Sequence, residues 1–377
     1  MESALNFSLT EQQRAVRESV RTMTQAEIVP RIAHLDRAFP DVVKILADHR
    51  MMGMTVPQEY GGSGKDEVSH VLALMEVSRE SAAVGGVLAW NNSLYCFPLL
   101  KCGTVEQKRK FLFPCATGEK TGSFALIGPT FSGTNRFTAL TTAGEGLVNG
   151  EGSFFPRGVS FGIFPALFQQ DDCPAALIVD LELAEGLRRG ETLEQGGIFF
   201  SGIAEAAFDN RRVEVGDLMA GRDGGQVLLH STLREAWMAV GALAAGIGEG
   251  SLKEALSAVE REKERGSISQ SVEWKLADMA VETEAARLFV LKAAWLKDQG
   301  KNYEKEAASA KIFASGAAVK ASCESLEILG DRNPGRRPSM ERRVRDAEMC
   351  RVYYGTSGEA GFVVADHVIG QARVTGF

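Results

Sequence analysis

The sequence predicts a multidomain α+β fold, with an N-terminal α-helical domain, a middle antiparallel β domain and a C-terminal four-helix bundle. A chain of 377 residues has the length of roughly two to three domains. Both outer thirds carry apolar residues at helical spacing. From Gly122 to Gly225, short β-favouring runs alternate with Gly-rich or charged turns. We therefore expect domains at residues 1–121, 122–225 and 226–377.

The N-terminal domain is predicted to consist of helices. Thr10 is followed three residues later by Gln13, a pattern typical of a capping box at a helix start. Further helices are predicted at 41–52 and over the apolar-periodic stretch from 68 to about 100. The glycines of 60–64 indicate a turn and not a phosphate loop, because no Lys-Ser/Thr pair follows them.

The last third is predicted to form the bundle. Helical runs at about 233–265, 304–329 and 355–370 accompany a fourth helix that carries one continuous apolar stripe. The stripe consists of Trp274, Ala277, Val281, Ala285, Leu288, Leu291 and Trp295. An apolar stripe at this spacing is typical of a helix face in the core, so we expect these side chains to be buried.

Charge and hydropathy exclude several function classes. The 42 Lys+Arg and 49 Asp+Glu residues give a net charge of −7, which provides no broad attraction for nucleic acid or for an anionic membrane. The longest apolar, charge-free run, 236–248, is too short to span a bilayer, which needs about 20 residues. The first ten residues carry no cationic segment before an apolar block, so we expect no secretory signal and a cytoplasmic location.

The cysteines and histidines indicate neither a metal site nor a His-centred triad. The six cysteines have no C-x-x-C pairing, and the five histidines are dispersed. We therefore expect reduced thiols and no bound metal.

Seven segments resemble the acyl-CoA dehydrogenase family, in the same order along the chain, and the similarity leans toward its short-chain and bacterial branches. They are 7–13 (FSLTEQQ), 56–62 (VPQEYGG), 91–94 (NNSL), 103–108 (GTVEQK), 275–279 (KLADM), 345–347 (RDA) and 355–357 (GTS).

The resemblance implies an oxidoreductase that acts on the CH–CH group of an acyl thioester. In the family, a glutamate removes the α-proton while the β-hydrogen leaves as hydride to FAD, which lies between the β domain and the bundle and borders a neighbouring subunit. Such chemistry requires a desolvated carboxylate base and donors to the thioester carbonyl. The implied partners are acyl-CoA or an acyl-carrier thioester, with self-association as a dimer or tetramer.

The glutamate position of the family is occupied by Tyr354, in the stretch Tyr-Tyr-Gly-Thr-Ser. A phenol, with a reference pKa near ~10, is a poor base at neutral pH. One branch of the family carries its base on the first bundle helix, but the equivalent position here is Ala236, with Trp237 in place of the following Arg. The adjacent Glu235 is an alternative base, although one helical step turns a side chain by ~100°. Arg234, one turn before Trp237, is a candidate cation for the substrate.

The family positions that contact FAD and substrate also depart from the family pattern. In the family, one loop supplies Thr and Ser contacts to flavin and substrate. The corresponding loop here is 127–135 (IGPTFSGTN), and its candidates for these contacts are Pro129, Ser132 and Thr134. The strand beside the flavin carries Phe155 and Pro156, and Pro156 lacks both the hydroxyl and the N–H of the family's Thr.

Three further positions follow from the resemblance. Gly330 opens a turn that reads Gly-Asp-Arg-Asn instead of Gly-Gly-x-Gly, so side chains fill the space near the cofactor. Thr356 is a candidate FAD contact and Gly355 a candidate substrate contact. Nearby arginines form a basic cluster, explained either by ion pairs or by nucleotide-phosphate binding; they are Arg332, Arg336, Arg337, Arg342, Arg343, Arg345 and Arg351.

Three functional hypotheses follow. In the first, the protein binds or acts on an acyl thioester, but ordinary FAD-dependent α,β-dehydrogenation is lost or altered and FAD occupancy is doubtful; Tyr354 then either fills the pocket or serves as a general acid. In the second, the chain is a non-catalytic subunit that pairs with a homologous, active dehydrogenase. In the third, it is an active dehydrogenase with another base, such as Glu235.

Overall fold

The computed structural model describes residues 8–127, 138–139, 146–156, 158–168, 174–183, 185–193, 198, 202–219, 224–263, 268–330, 335 and 337–370. Helices occupy both ends of this chain, and a β-sheet lies between them. The first strand begins at Gly122 and the first long C-terminal helix at Gly225, where the sequence pattern also changes.

The N-terminal region begins with the predicted capping box. The Thr10 hydroxyl accepts a hydrogen bond from Gln13 N (3.2 Å), and Gln13 Oε1 accepts one from Thr10 N (2.9 Å). Helix α3 is the central helix of this region, because every residue from 67 to 78 is buried. The helices are α1 (Glu11–Met23), α2 (Leu35–Asp48), α3 (Glu67–Glu80), α4 (Ala82–Leu88), α5 (Phe97–Cys102), α6 (Val105–Gln107) and α7 (Phe113–Thr117).

The Asn91-Asn92 pair joins the helical region to the sheet. Asn91 Nδ2 donates to Met52 O (2.6 Å), and Asn91 Oδ1 accepts from Gly122 N (2.9 Å) at the start of the first strand. Asn92 Oδ1 accepts from Met54 N (2.8 Å). Buried amides with satisfied partners fix local geometry, so this motif holds the first strand against the helices.

In the described part of the middle region, the strands form one nine-stranded sheet with the main order β7-β8-β4-β3-β5-β6-β9. It is mostly antiparallel, as predicted; the exceptions are the parallel pairs β1–β5 and β3–β5. The strands are β1 (Gly122–Phe124), β2 (Leu126–Ile127), β3 (Thr138–Ala139), β4 (Gly146–Pro156), β5 (Phe161–Phe168), β6 (Pro174–Asp180), β7 (Leu187–Leu193), β8 (Ile203–Val213) and β9 (Leu218–Met219).

The C-terminal region is helical. It contains the four predicted long helices and one more, α11, whose sparse apolar positions had not indicated a helix. The helices are α8 (Gly225–Lys263), α9 (Gln270–Asp298), α10 (Glu304–Leu329), α11 (Arg337–Val352) and α12 (Ser357–Ile369). Helix α10 packs against α8, α9, α11 and α12, which makes it the centre of this region.

Most of the apolar stripe of α9 faces away from the core, so the expectation that the stripe is buried is wrong, although Leu291 packs partly against the core. Trp274, Val281 and Trp295 are 66%, 69% and 43% exposed. The buried face of α9 is formed by other, smaller residues, namely Val272, Met279, Thr283, Ala286, Val290, Ala293 and Ala294. Helical spacing identifies residues that share a face, but not what that face contacts.

The described residues contain no membrane-spanning helix and no metal-binding cluster, and their cysteines are free thiols. None of their helices has the length and apolar character needed to cross a bilayer. They contain no group of three His, Cys, Asp or Glu side chains arranged to hold a metal ion. Five cysteines are free thiols, namely Cys96, Cys102, Cys115, Cys323 and Cys350.

Candidate functional site

The candidate site centres on the turn between α11 and α12. Tyr354 has φ 49° and Gly355 has φ 89°, so two consecutive residues adopt the left-handed region. Tyrosine rarely adopts this conformation, and it persists only where surrounding contacts hold it. Thr356 then caps α12: its hydroxyl accepts from Glu359 N (3.1 Å), and its own N–H donates to Glu359 Oε2.

The Tyr354 side chain is buried between the turn and the first strand. Its hydroxyl donates to Phe124 O of β1 and accepts from the Tyr353 hydroxyl, with both distances 3.4 Å. The two tyrosine rings pack with their centroids 4.2 Å apart. These hydrogen bonds are long for O–H donors, so ring packing is the main contact of Tyr354.

The environment of Tyr354 does not favour a base. Burial raises the pKa of its phenol above the ordinary value, and hydrogen bonds with Tyr353 and Ser123 only partly oppose this effect. A low-dielectric surrounding disfavours the phenolate. At neutral pH the residue therefore carries a proton and cannot replace a carboxylate as proton acceptor.

Helix α8 holds the turn from one side. Trp237 Nε1 donates to Tyr354 O (3.1 Å). A Cβ at Gly355 would lie 3.6 Å from Trp237 Nε1 and 3.9 Å from Leu233 Cδ1. The face of α8 that meets the turn therefore carries Leu233 and Trp237, one helical turn apart.

Helix α10 holds the turn from another side. Lys311 is fully buried and donates through Nζ to Tyr353 O, with a longer contact of 3.4 Å to Cys350 O. Sequence analysis did not single out this residue. The available signal was a lysine on the Ala-rich inner face of a predicted helix, where a charged group requires a specific partner.

Glu235 points away from the turn, into a buried ionic network. Its Oε2 accepts from Lys297 Nζ (2.6 Å), its Oε1 accepts from the Tyr303 hydroxyl, and Lys297 Nζ also donates to Glu67 Oε2 (2.5 Å). Glu67 Oε1 in turn lies 2.7 Å from His70 Nδ1. Both oxygens of Glu235 are thus engaged by structural partners.

The electrostatics of this network shift the pKa values of its two carboxyl groups in opposite directions. Burial raises the pKa of Glu235, and the attraction of Lys297 does not fully offset it. Burial also acts to raise the pKa of Glu67, but Lys297 and His70 lower it below the ordinary value. A single lysine charge serves two carboxyl groups, so the network stabilises the α3–α8–α9 junction and does not favour Glu235 as the base of the site.

Arg234 lies beside Tyr303, the residue that also donates to Glu235. Its guanidinium lies 5.3 Å from the centroid of the Tyr303 ring, within the range of a cation–π contact. No contact of Arg234 with the Tyr354 turn is observed among the described residues. Its role as a substrate cation stays a prediction.

The remaining predicted FAD and substrate positions belong to the middle region and to the end of α10. Pro129, Ser132 and Thr134 lie outside the described residues. Phe155 and Pro156 belong to β4 and pair with Ala204 and Ile203 of β8. Gly330 ends α10 with φ 39°, and a Cβ there would meet nothing within 4 Å.

Two of the donors that the resemblance implies for FAD are missing or engaged at the described positions. Pro156 is buried and has neither an N–H nor a hydroxyl. The N–H of Thr356 is bonded to Glu359, which also places a carboxylate at the start of α12. A carboxylate there opposes a second anion such as a pyrophosphate. At these two described positions the cofactor would therefore meet neither a donor at Pro156 nor a free N–H at Thr356.

Comparisons with known proteins agree with this architecture. The acyl-CoA dehydrogenase N-terminal domain matches residues 10–119, and the acyl-CoA dehydrogenase C-terminal domain matches residues 223–368. The chain belongs to the acyl-CoA dehydrogenase family.

Relatives cover almost the whole chain of this family member. An acyl-CoA dehydrogenase of Bacillus subtilis (strain 168) is 34% identical, over 96% of this chain and 99% of its own. A short-chain specific acyl-CoA dehydrogenase of Clostridium acetobutylicum is 31% identical, over 97% of this chain and 100% of its own. The structure of butyryl-CoA dehydrogenase from Megasphaera elsdenii is 27% identical with a TM-score of 0.87, and covers 97% of this chain and 100% of its own.

Proposed function

We propose that this acyl-CoA dehydrogenase family protein binds an acyl thioester at the Tyr354 turn and has lost ordinary FAD-dependent α,β-dehydrogenation. The observation that carries the proposal is the buried phenol of Tyr354 where the family resemblance places the catalytic glutamate. Abstraction of an α-proton from a thioester needs a group that is unprotonated at working pH. Burial raises the pKa of Tyr354, so its protonated phenol does not provide one.

The described surroundings of Tyr354 offer no evident replacement base. Glu235, the alternative considered from the sequence, is bonded to Lys297 and Tyr303. Glu359 is bonded to Thr356 N and caps α12. The protonated Tyr354 phenol retains the capacity to donate a hydrogen bond or a proton. Because burial raises its pKa, the position favours a role as a filler of the pocket or as a hydrogen-bond donor over one as a general acid in a non-redox reaction.

The visible spectrum of the purified protein, before and after addition of FAD, tests this function. Butyryl-CoA and butyryl-loaded acyl carrier protein are suitable probes, because the family relatives include short-chain enzymes. We expect measurable binding of one of the two thioesters by titration calorimetry and no flavin reduction by either. Bound FAD together with turnover of butyryl-CoA would show that dehydrogenation is retained. Failure of both thioesters to bind would overturn the assigned ligand.

Substitution Tyr354→Glu tests whether residue 354 alone removed the activity. We expect no dehydrogenation in this variant, because Pro156 still has neither N–H nor hydroxyl and the N–H of Thr356 is still bonded to Glu359. Recovery of butyryl-CoA oxidation would show instead that the FAD site is intact and that the loss is confined to this position.

A second candidate is a non-catalytic subunit that pairs with an active homologue. It is favoured by the exposed apolar face of α9, which carries two tryptophans and is typical of a surface covered by another chain. Co-purification in a fixed ratio with a second dehydrogenase chain from the native source would support this role. A stable assembly of this chain alone would support self-association as a dimer or tetramer.

A further inference from the structure

Lys311 is a buried lysine held by backbone carbonyls. Its side chain is 0% exposed, and it forms no ion pair with a carboxylate of the described residues. Its partners, Tyr353 O and Cys350 O, lie at the C-terminal end of α11. Carbonyls at this end of a helix lack intrahelical donors and attract a cation.

The groups that face Lys311 come from two neighbouring helices. Burial lowers the pKa of Lys311 to about 7, while Cys350 of α11 and Glu359 of α12 act in the opposite direction. The Cys350 thiol has a pKa raised by burial to about 12, so it is neutral near pH 7. Asp346, one turn before Cys350 on α11, is also buried, and burial raises the pKa of its carboxyl to about 6. Lys311 is thus the group of this cluster that changes its charge closest to pH 7, and Asp346 changes its charge at lower pH.

The bonded carbonyl is directly adjacent to Tyr354. Lys311 binds the carbonyl of residue 353 and Trp237 binds that of residue 354, so the two bonds hold the consecutive peptide units on either side of the Tyr354 Cα. One turn along α10, the Ser315 hydroxyl lies 3.4 Å from that of Ser357, the first residue of α12. One face of α10 therefore contacts both ends of the turn that presents Tyr354.

We propose that Lys311 is a positioning residue that fixes the 353–355 turn, and that its proton controls how firmly the Tyr354 ring is held. The ammonium form makes charge-assisted bonds to the carbonyls, which are stronger than those of the neutral amine. The turn is therefore held more firmly on the acid side of neutrality. This inference rests on the proposed function in one respect, namely that the acyl thioester binds at this turn.

The test uses the full-length chain with 3-fluorotyrosine incorporated and followed by ¹⁹F NMR between pH 6 and 8.5. The resonances of Tyr353 and Tyr354 are assigned with the variants Tyr353→Phe and Tyr354→Phe. We expect both to titrate with a midpoint near pH 7 in the native sequence, and this titration to disappear in Lys311→Met. Lys320→Met is the matched control, because Lys320 lies on the same helix but pairs with Glu282 at the surface.

Two results would overturn the proposal. One is the absence of any titration of these resonances in the native sequence, a measurement that does not depend on the folding of a variant. The other is an unchanged titration in Lys311→Met. Lys311→Arg, which keeps its charge throughout this pH range, should also abolish the titration, and persistence of the titration there would count against Lys311.

Ligand binding separates this inference from the proposed function. If butyryl-CoA binds, we expect its affinity to fall by about tenfold in Lys311→Met at pH 6, a loss typical of a hydrogen bond to a charged group. An unchanged affinity would contradict the positioning role. If neither thioester binds the native protein, the proposed function fails, while the tyrosine titration still decides the role of Lys311.

Discussion

Glu235 and Trp237 show how two close positions on one helix serve different purposes. Trp237 donates to the Tyr354 carbonyl, whereas Glu235 binds Lys297 and Tyr303. Successive side chains on a helix diverge by ~100° each, so two steps direct the groups to different neighbours. Glu235 is 1% exposed and belongs to the interior of the α3–α8–α9 junction, which makes it a determinant of stability.

Substitution Glu235→Ala should lower the free energy of unfolding by about 1–3 kcal/mol, because it leaves the Tyr303 hydroxyl without its acceptor. The matched control is Glu282→Ala, which removes a partly exposed partner of Lys320 and should cost about 1 kcal/mol or less. Urea denaturation followed by circular dichroism measures both. Equal stability of the two variants would show that the Glu235 network contributes little.

The Tyr354 hydroxyl should contribute little to stability, since both of its hydrogen bonds are 3.4 Å long. Tyr354→Phe is expected to change the free energy of unfolding by about 1 kcal/mol or less and to retain butyryl-CoA binding. Calorimetric titration checks the second point. A loss of affinity beyond about tenfold would assign the hydroxyl, rather than the ring, a part in ligand recognition.

Capping is the element-scale feature that sequence reasoning predicts most directly. The Thr10–Gln13 box is confirmed by reciprocal hydrogen bonds at the start of α1. The same spacing, Thr then Glu three residues later, caps α12 at Thr356 and Glu359. At α12 the cap also fixes the end of the turn that contains Tyr354, so a local signal in the sequence positions part of the candidate site.

Substitution Thr356→Ala should destabilise α12 by about 1 kcal/mol, because the N–H of Glu359 loses its acceptor. Thr356→Ser keeps the hydroxyl and should have a smaller effect. Amide hydrogen exchange of 357–369 measures this locally, with α1 as an internal reference. Faster exchange in both variants, to the same extent, would indicate that the methyl group and not the cap stabilises this helix.

At the scale of the whole molecule, the exposed stripe of α9 is the largest departure from expectation. Trp274, Val281 and Trp295 remain exposed although they are apolar, and a soluble chain rarely leaves such a row uncovered. Phe289 of α9 and Phe313 of α10 pack against each other beside it, 5.2 Å between ring centroids. We propose that another chain of this family covers this face, either a second copy of this chain or the homologue considered above.

The combined substitutions Val281→Glu and Leu288→Glu should convert an oligomer to a monomer, because buried charges without partners oppose association. Light scattering after size-exclusion chromatography measures the mass. Leu183→Glu, at a residue that is 78% exposed outside this helix, is the control and should keep the oligomer. A native protein that is monomeric at micromolar concentration would contradict self-association through α9.

The sequence by itself determined the order of the three regions, the caps and the extent of several helices. Helix α10 was predicted at 304–329 and is observed as Glu304–Leu329. These features depend on near neighbours in the chain, through propensity, periodicity and capping. The replacement of the family glutamate by Tyr354 was also evident from the sequence alone.

Only the tertiary structure decided the partners of the site residues. Glu235 binds Tyr303, 68 positions away, and Lys311 binds the carbonyl of Tyr353, 42 positions away. The helical period shows which residues share a face, but the partner of that face depends on how distant helices pack. For this reason the α9 stripe was assigned to the core, Lys311 was missed, and Glu235 was considered as a base before its partners were seen.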